Sequence, residues 1–241
     1  MKPTLFLVAG LFSIVACETS SSKTHRLPNT LNGAPDAEIR TAAFVVADGV
    51  YNSELMAPYD VLHHTLYRDS LDYIAPFIVN ATGESFVTFE GIEMEPHFSF
   101  AEAPKADIIV IPSTEGSMSR DLADTAYLGY LNRSIPEAEW VLTVCDGAFP
   151  LAETGALNGR VATTFPGDRA AFARTFPAID VRFDRRMVVD GKYITSVGGA
   201  MSYEPAFWLV EHLWDSTRVS GNARGLVWSW TMKDTAFLVI D

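Results

Sequence analysis

Three short apolar runs constrain this chain more than any other feature: TAAFVVAD at 41–48, ADIIVIPS at 106–113 and EWVLTVC at 139–145. Each has the length of a strand and is largely apolar, which is the signature of strands covered on both faces. Each also ends in a polar or glycine-bearing turn: Asp48-Gly49, Pro112 to Gly116, and Cys145-Asp146-Gly147. Helical spacing follows the first run, where Leu55, Tyr59, Leu62 and Leu66 recur, and helices are expected again from about Ser119 to Asn132 and in AFPLAETGAL, which stops near Gly155. LDYIAPFIVN (71–80) adds a strand, ESFVTFEGIEMEPHFSF a hairpin or extended excursion, and RVATTF a further strand. GDRAAFARTFP then gives a helix closed by Pro177, RRMVVDGKYITSVGG a hairpin about Asp190-Gly191, SYEPAFWLVEHLWDS an apolar helix, and TAFLVID (235–241) a last strand. Such alternation predicts an α/β sandwich around a mostly parallel sheet.

The opening MKPTLFLVAGLFSIVACETSSS has a basic start at Lys2, an apolar segment from Leu5 to Val15, and small residues before Cys17. That is the pattern of a signal peptide rather than a membrane span. Ile14-Val15-Ala16-Cys17 fits the bacterial lipoprotein cleavage box, in which the cysteine becomes the lipidated N-terminus; an ordinary secretory signal cut nearby is the alternative. The expected organisation is a lipoprotein signal peptide over 1–16, a flexible tether over 17–40 and one domain over 41–241. The expected location is the bacterial cell envelope, with Cys17 as the membrane anchor.

The chain holds two cysteines, so a lipidated Cys17 leaves Cys145 as a lone thiol in an oxidising compartment. A net charge of −12 without any basic run argues against nucleic acid or an acidic surface as partner. His63-His64 is the one close histidine pair, and adjacent helical residues point apart, so no metal is expected.

Ligands of an open parallel sheet gather at the C-terminal edge of its strands, where the three polar turns converge on one expected pocket. A cysteine between strand and helix meets unpaired N–H groups and a helix dipole, which favour the thiolate and predict a midpoint below the ordinary value of about 8.5. Gly147 lets the turn close, and the Asp146 N–H points toward the sulfur, placed to hold an oxyanion. On the residues alone, a buried inert cysteine ending a core strand stands beside this reading. Glu54 has its own plain account as a first-turn helix charge after Ser53, and Asp146 as a solvated turn aspartate. Helical spacing assigns Phe207, Trp208, Trp214, Trp228 and Trp230 to core packing ahead of a pocket or a subunit interface.

TVCDGAFPLAETGALNGRVATTF, VADGVYNSELMAPYDVL, IIVIPSTEG and YITSVGGAMSYEPAFWLVEHL, in that order and spacing, resemble the ThiJ/PfpI superfamily from about residue 41 to the C-terminus. The resemblance implies a class I glutamine amidotransferase-like fold, a three-layer sandwich with a flavodoxin-like sheet and helices on both faces. It also implies Cys145 as nucleophile and Glu54 as the acid bonded to it, with a raised pKa and a proton shared with sulfur. The implied oxyanion donors are the N–H groups of Asp146 and Thr114, although Pro112-Ser113-Thr114 stands where relatives have Pro-Gly-Gly. Ser113, Phe165 and Tyr203 are the expected pocket wall, with Glu204 beside them.

Two departures matter. Asp146 replaces the histidine that follows the cysteine in protease-like relatives, and Phe165 replaces the histidine of glyoxalase- or deglycase-like ones. A base able to cycle near neutral pH is therefore expected to be missing, which argues against peptidase activity. What remains is a cofactor-free, cysteine-dependent enzyme acting on a small carbonyl or isonitrile-like electrophile by nucleophilic attack or hydration. The alternative is a non-catalytic module that binds a small ligand or senses oxidants. Family members commonly pair across helices beside the active site, which implies a homodimer.

Overall fold

The computed structural model describes residues 38–67, 72–231 and 236–240; the expected signal peptide, Cys17 and most of the expected tether lie outside the described residues. Eight strands form one sheet: β1 (Ile39–Val45), β2 (Tyr73–Asn80), β3 (Phe98–Ser99), β4 (Ile108–Ile111), β5 (Trp140–Val144), β6 (Met187–Asp190), β7 (Tyr193–Ser196) and β8 (Phe237–Ile240). Their order is β8-β6-β7-β5-β4-β1-β2-β3. Pairing is parallel from β3 through to β7, and only β6 and β8 run the other way, so the sheet is mostly parallel as the alternation implies.

The apolar runs are buried on both sides because alternate side chains serve opposite faces. Ala42, Phe44, Ile108, Val110, Leu142 and Val144 join one core cluster, whereas Ala43, Val45, Ile109, Ile111 and Val141 join the other. Seven helices cover the sheet: α1 (Asn52–His63), α2 (Arg120–Ala123), α3 (Thr125–Ser134), α4 (Ala148–Glu153), α5 (Arg169–Thr175), α6 (Glu204–Leu213) and α7 (Ser216–Gly225). Residues of α1, α6 and α7 pack into the first cluster and those of α3, α4 and α5 into the second, which makes the three layers. The aromatic set behaves as core: Phe207 and Trp208 are buried in α6, and Trp214, Trp228 and Trp230 pack against the same cluster.

Several elements differ from the sequence expectation. The first strand starts at Ile39, ahead of Thr41. RVATTF gives only the two-residue strand Val161–Ala162, which pairs with Asp180–Val181 outside the main sheet. The Thr163 N–H donates instead to Thr195 Oγ1, and its hydroxyl donates to the Arg182 carbonyl, so the ladder cannot continue. The helix expected over 119–132 is broken at Asp124, whose carboxylate caps α3 by accepting the N–H groups of Ala126 and Tyr127. Helix α7 has no counterpart in the sequence reading, because Val219 and Ala223 are the only apolar pair it buries.

The chain leaves β1 for β2 on one side and reaches β4 on the other, so a topological switch lies between β1 and β4. The register aligns Phe44 with Val110 and Val110 with Leu142, which brings the turns after β1, β4 and β5 to one edge. Contact there is close: a Cβ on Gly147 would stand 2.0 Å from the carbonyl oxygen of Ile111. Gly147→Ala must therefore separate the turn after β5 from the end of β4. The expected loss is about 2 kcal/mol or more in urea unfolding, with near-wild-type stability as the contrary result.

Candidate active site

Cys145 follows β5 directly and takes φ 57, the left-handed region that a side chain rarely occupies, before a single 3₁₀ turn leads into α4. Its surroundings hold it there. The Thr164 hydroxyl donates to the Cys145 carbonyl at 2.9 Å, and Gly198, at φ 77, lies so near that an added Cβ would meet Cys145 Cβ at 2.4 Å and Glu54 Oε1 at 2.7 Å. Glu54 sits in the first turn of α1, only 5% exposed, and its Oε1 accepts the Gly199 N–H at 3.1 Å. The glycine pair after β7 thus presses the acid and the cysteine together, and the Glu54 carboxyl is hydrogen-bonded to the Cys145 thiol. Glu54 Oε2 is buried, and no donor among the described residues reaches it within ordinary hydrogen-bond geometry.

Electrostatics reverse one expectation from the sequence. Burial raises the Cys145 pKa, the charges of Glu54 and Asp146 raise it further, and the Asp146 N–H bonded to sulfur offsets this only in part. Helix α4 spans just Ala148–Glu153, too short for its dipole to outweigh desolvation. The carboxyl of Glu54 is pushed up as well, chiefly by burial, against the pull of the Gly199 N–H, the thiol and the Ser113 N–H. Because both groups resist charge, the proton of either is harder to remove here than in water.

Asp146 is no solvated turn residue. It is 9% exposed, its Oδ1 accepts the Thr164 hydroxyl at 2.9 Å, and it is hydrogen-bonded to Asp168. Burial, then the charges of Asp168 and Glu54, push its carboxyl up to about 7 against the Thr164 hydrogen bond. A group that cycles near neutral pH is thus present beside Cys145 after all, as an aspartate rather than a histidine.

Other expected positions fare differently. The Thr114 N–H is already donated to Ser117 Oγ at 2.9 Å, and the Thr114 hydroxyl to Asp121, so the second expected oxyanion donor is committed within its own loop. Ser113 is buried and serves Glu54 through its N–H rather than walling a pocket with its side chain. Phe165, 43% exposed, follows Thr164 directly at the edge of the site. Tyr203 instead packs on Phe207 and Trp228, and Glu204 is held in a 2.7 Å ion pair with Arg186.

Tyr51, which the sequence reading passed over, belongs to the site: burial raises its pKa, and so do the charges of Cys145, Glu54, Asp146 and Glu115. Its ring lies 4.4 Å from that of Phe89, on the loop of a small hairpin (Phe86–Val87 with Glu93–Met94) that folds over the turn after β1. Its place three residues before Glu54 was the available signal. Among the described residues no group of three or more His, Cys, Asp or Glu side chains is arranged to hold a metal ion.

A mostly parallel α/β sheet with a cysteine at a left-handed strand-to-helix turn, paired to a buried glutamate from the neighbouring turn, defines a class of cysteine-elbow α/β proteins. The DJ-1/PfpI family profile matches residues 40–212, and the chain belongs to the DJ-1/PfpI family. It is 25% identical over 191 residues to protein dj-1beta of Drosophila melanogaster, covering 78% of this chain and 97% of that one. Isonitrile hydratase of Pseudomonas putida is 27% identical over 177 residues, covering 70% of each chain. Among solved structures, a ThiJ/PfpI family protein from Pseudomonas syringae superposes with a TM-score of 0.72 at 21% identity, covering 89% of this chain and 86% of that one. Drosophila DJ-1beta gives a TM-score of 0.69 at 22% identity, covering 79% and 99%.

The raised Asp146 carboxyl has a defined effect on stability. A folded-state value near 7 means that the fold favours the protonated acid. Its contribution is complete below the ordinary carboxylate value of about 3.9 and is lost as pH rises through about 7, by at most about 4 kcal/mol. Asp146→Asn removes that loss. Urea unfolding at pH 5 and pH 8 is expected to show a smaller difference for the variant than for the wild type, and equal differences would contradict the assignment.

Proposed function

We propose that this protein is a cysteine-dependent enzyme that hydrates a small neutral electrophile, an isonitrile or a reactive carbonyl, and that it is not a peptidase. The observation that carries the reading is the buried Glu54–Cys145 pair, seated at the topological switch with the carboxyl bonded to the thiol.

An isonitrile would be hydrated in three steps. Sulfur attacks the terminal carbon while Glu54 takes the thiol proton and passes it to that carbon, giving a thioimidate. Water then adds across the carbon–nitrogen bond, its hydroxyl going to carbon and its proton passing through Asp146 to nitrogen. The carbon–sulfur bond breaks, the hydroxyl proton returns to Glu54, and a formamide leaves. Asp146, titrating at about 7, is suited to the middle step. With the Thr114 N–H committed to Ser117, one backbone donor remains at the sulfur, which suits the isonitrile, whose first step builds no oxyanion, better than the carbonyl or acyl transfer. The similarity to isonitrile hydratase points the same way. A redox-sensing role is the weaker reading, because Cys145 is only 7% exposed and oxidation follows exposure and thiolate character.

We propose further that the chain is exported and held in the bacterial cell envelope by lipid on Cys17, supported by the signal-like first residues and their cleavage box; palmitate labelling that fails, or persists in Cys17→Ser, overturns this. A homodimer is part of the same proposal, on the family's habit alone.

The enzymatic reading is tested on the full-length chain with benzyl isocyanide and methylglyoxal. Cys145→Ala is expected to abolish turnover, and Glu54→Gln to lower kcat by about 10²- to 10⁴-fold. Turnover that survives in Cys145→Ala overturns the assignment.

A further inference from the structure

The loops that meet at Cys145 bring carboxylates from every side. Glu54 and Asp146 flank the sulfur, and Asp168 is bonded to Asp146. Glu90, exposed on the hairpin loop beside Phe89, accepts the Asn52 N–H at 3.0 Å and so sits on the turn that carries Tyr51 and Glu54. Glu115, also exposed, lies over Gly49, where an added Cβ would meet its Cγ at 2.5 Å. Arg120, beside Glu115, faces two carboxylates, so its charge offsets only one of them. Arg120 is held by Asp121 at 3.0 Å, by Glu115 at 3.8 Å and by the Asp48 carbonyl at 2.6 Å, and Arg169 turns to Thr163 Oγ1 and to the carbonyls of Phe183 and Arg185. Beside this ring stands the Tyr51–Phe89 aromatic pair, whose faces attract cations.

We propose that the site selects its electrophile by charge, admitting neutral and cationic molecules and turning away carboxylates and phosphates, with Glu90 and Glu115 as the selecting residues at the rim. This rests on the reading of Cys145 as a nucleophile reached by small molecules. Negative potential concentrated in a cleft raises the local concentration of cations and lowers that of anions, and salt screens the effect at the exposed rim.

Three methanethiosulfonates that differ in charge test the idea without any need for turnover: the trimethylammonioethyl, methyl and sulfonatoethyl reagents. Each reacts by the same exchange, in which sulfur forms a disulfide with the transferred thioalkyl group and methanesulfinate leaves. The protein is the full chain carrying Cys17→Ser, so that Cys145 alone reports, and 2-mercaptoethanol is the reference thiol. At low salt the ratio of cationic to anionic rate is expected to exceed that of the reference by about tenfold or more, and to fall toward it in 0.5 M salt. Glu90→Gln and Glu115→Gln, which keep an acceptor oxygen, are each expected to lower the ratio by about two- to threefold. A ratio equal to that of the reference, or one that ignores both substitutions, overturns charge selection and leaves the nucleophile standing. Failure of all three reagents to react means that small molecules do not reach Cys145, which overturns the selection and the enzymatic reading together.

Discussion

Everything at this site depends on the near contact of Gly198 with Cys145 and Glu54. A Cβ added to Gly198 would stand 2.4 Å from Cys145 Cβ, which leaves no room for any side chain at that position. The Gly198 backbone also fixes the distance between acid and sulfur without using a side chain to do so. The left-handed backbone at Cys145 costs on the order of 1–3 kcal/mol, and it persists because the Thr164 hydroxyl, the Gly198 backbone and the close approach of Gly147 to β4 surround it. Much of the rigidity of the constellation is thus borrowed from the sheet, since Gly198 follows β7 and Gly147 closes against the end of β4.

Within that frame the chemistry is governed by how little charge the pocket tolerates. Three acids and a thiol compete there: Glu54, Asp146, Asp168 and Cys145. Burial raises the first two and the thiol, and each ionised neighbour makes the next ionisation harder. The consequence is a site that stores protons at neutral pH. A histidine would supply one exchangeable proton near neutrality; here a buried aspartate against a second aspartate reaches a similar value by desolvation and mutual repulsion.

The layered fold and the convergence of three turns were legible in the sequence because fully apolar runs leave few alternatives: TAAFVVAD, ADIIVIPS and EWVLTVC can be buried on both faces only inside a parallel sheet. Cys145 and Glu54 were named through a resemblance, and spacing alone did not separate them from a core cysteine and a helix-start charge. Burial was what the sequence could not convey. Whether Asp146 is solvated or enclosed depends on Thr164 and Asp168, eighteen and more residues away. Likewise, the loss of the Thr114 N–H to Ser117 is a matter of loop conformation. Helix α7 was missed because its stability comes from packing rather than periodicity, and RVATTF is a strand over only two residues, outside the main sheet, because β-branched residues signal strand without saying how long it runs or in which sheet.

The family match stops at residue 212, whereas α7, Trp228, Trp230 and β8 follow it. Strand β8 lies along β6, which would otherwise be the last strand of the sheet, with its backbone N–H and C=O groups open on one side. A row of unmet amides on an apolar strand invites pairing with a stranger. The tail therefore acts as a guard for the fold: a domain trimmed to the matched residues would keep the turns around Cys145 yet carry a sticky border, prone to aggregate edge to edge.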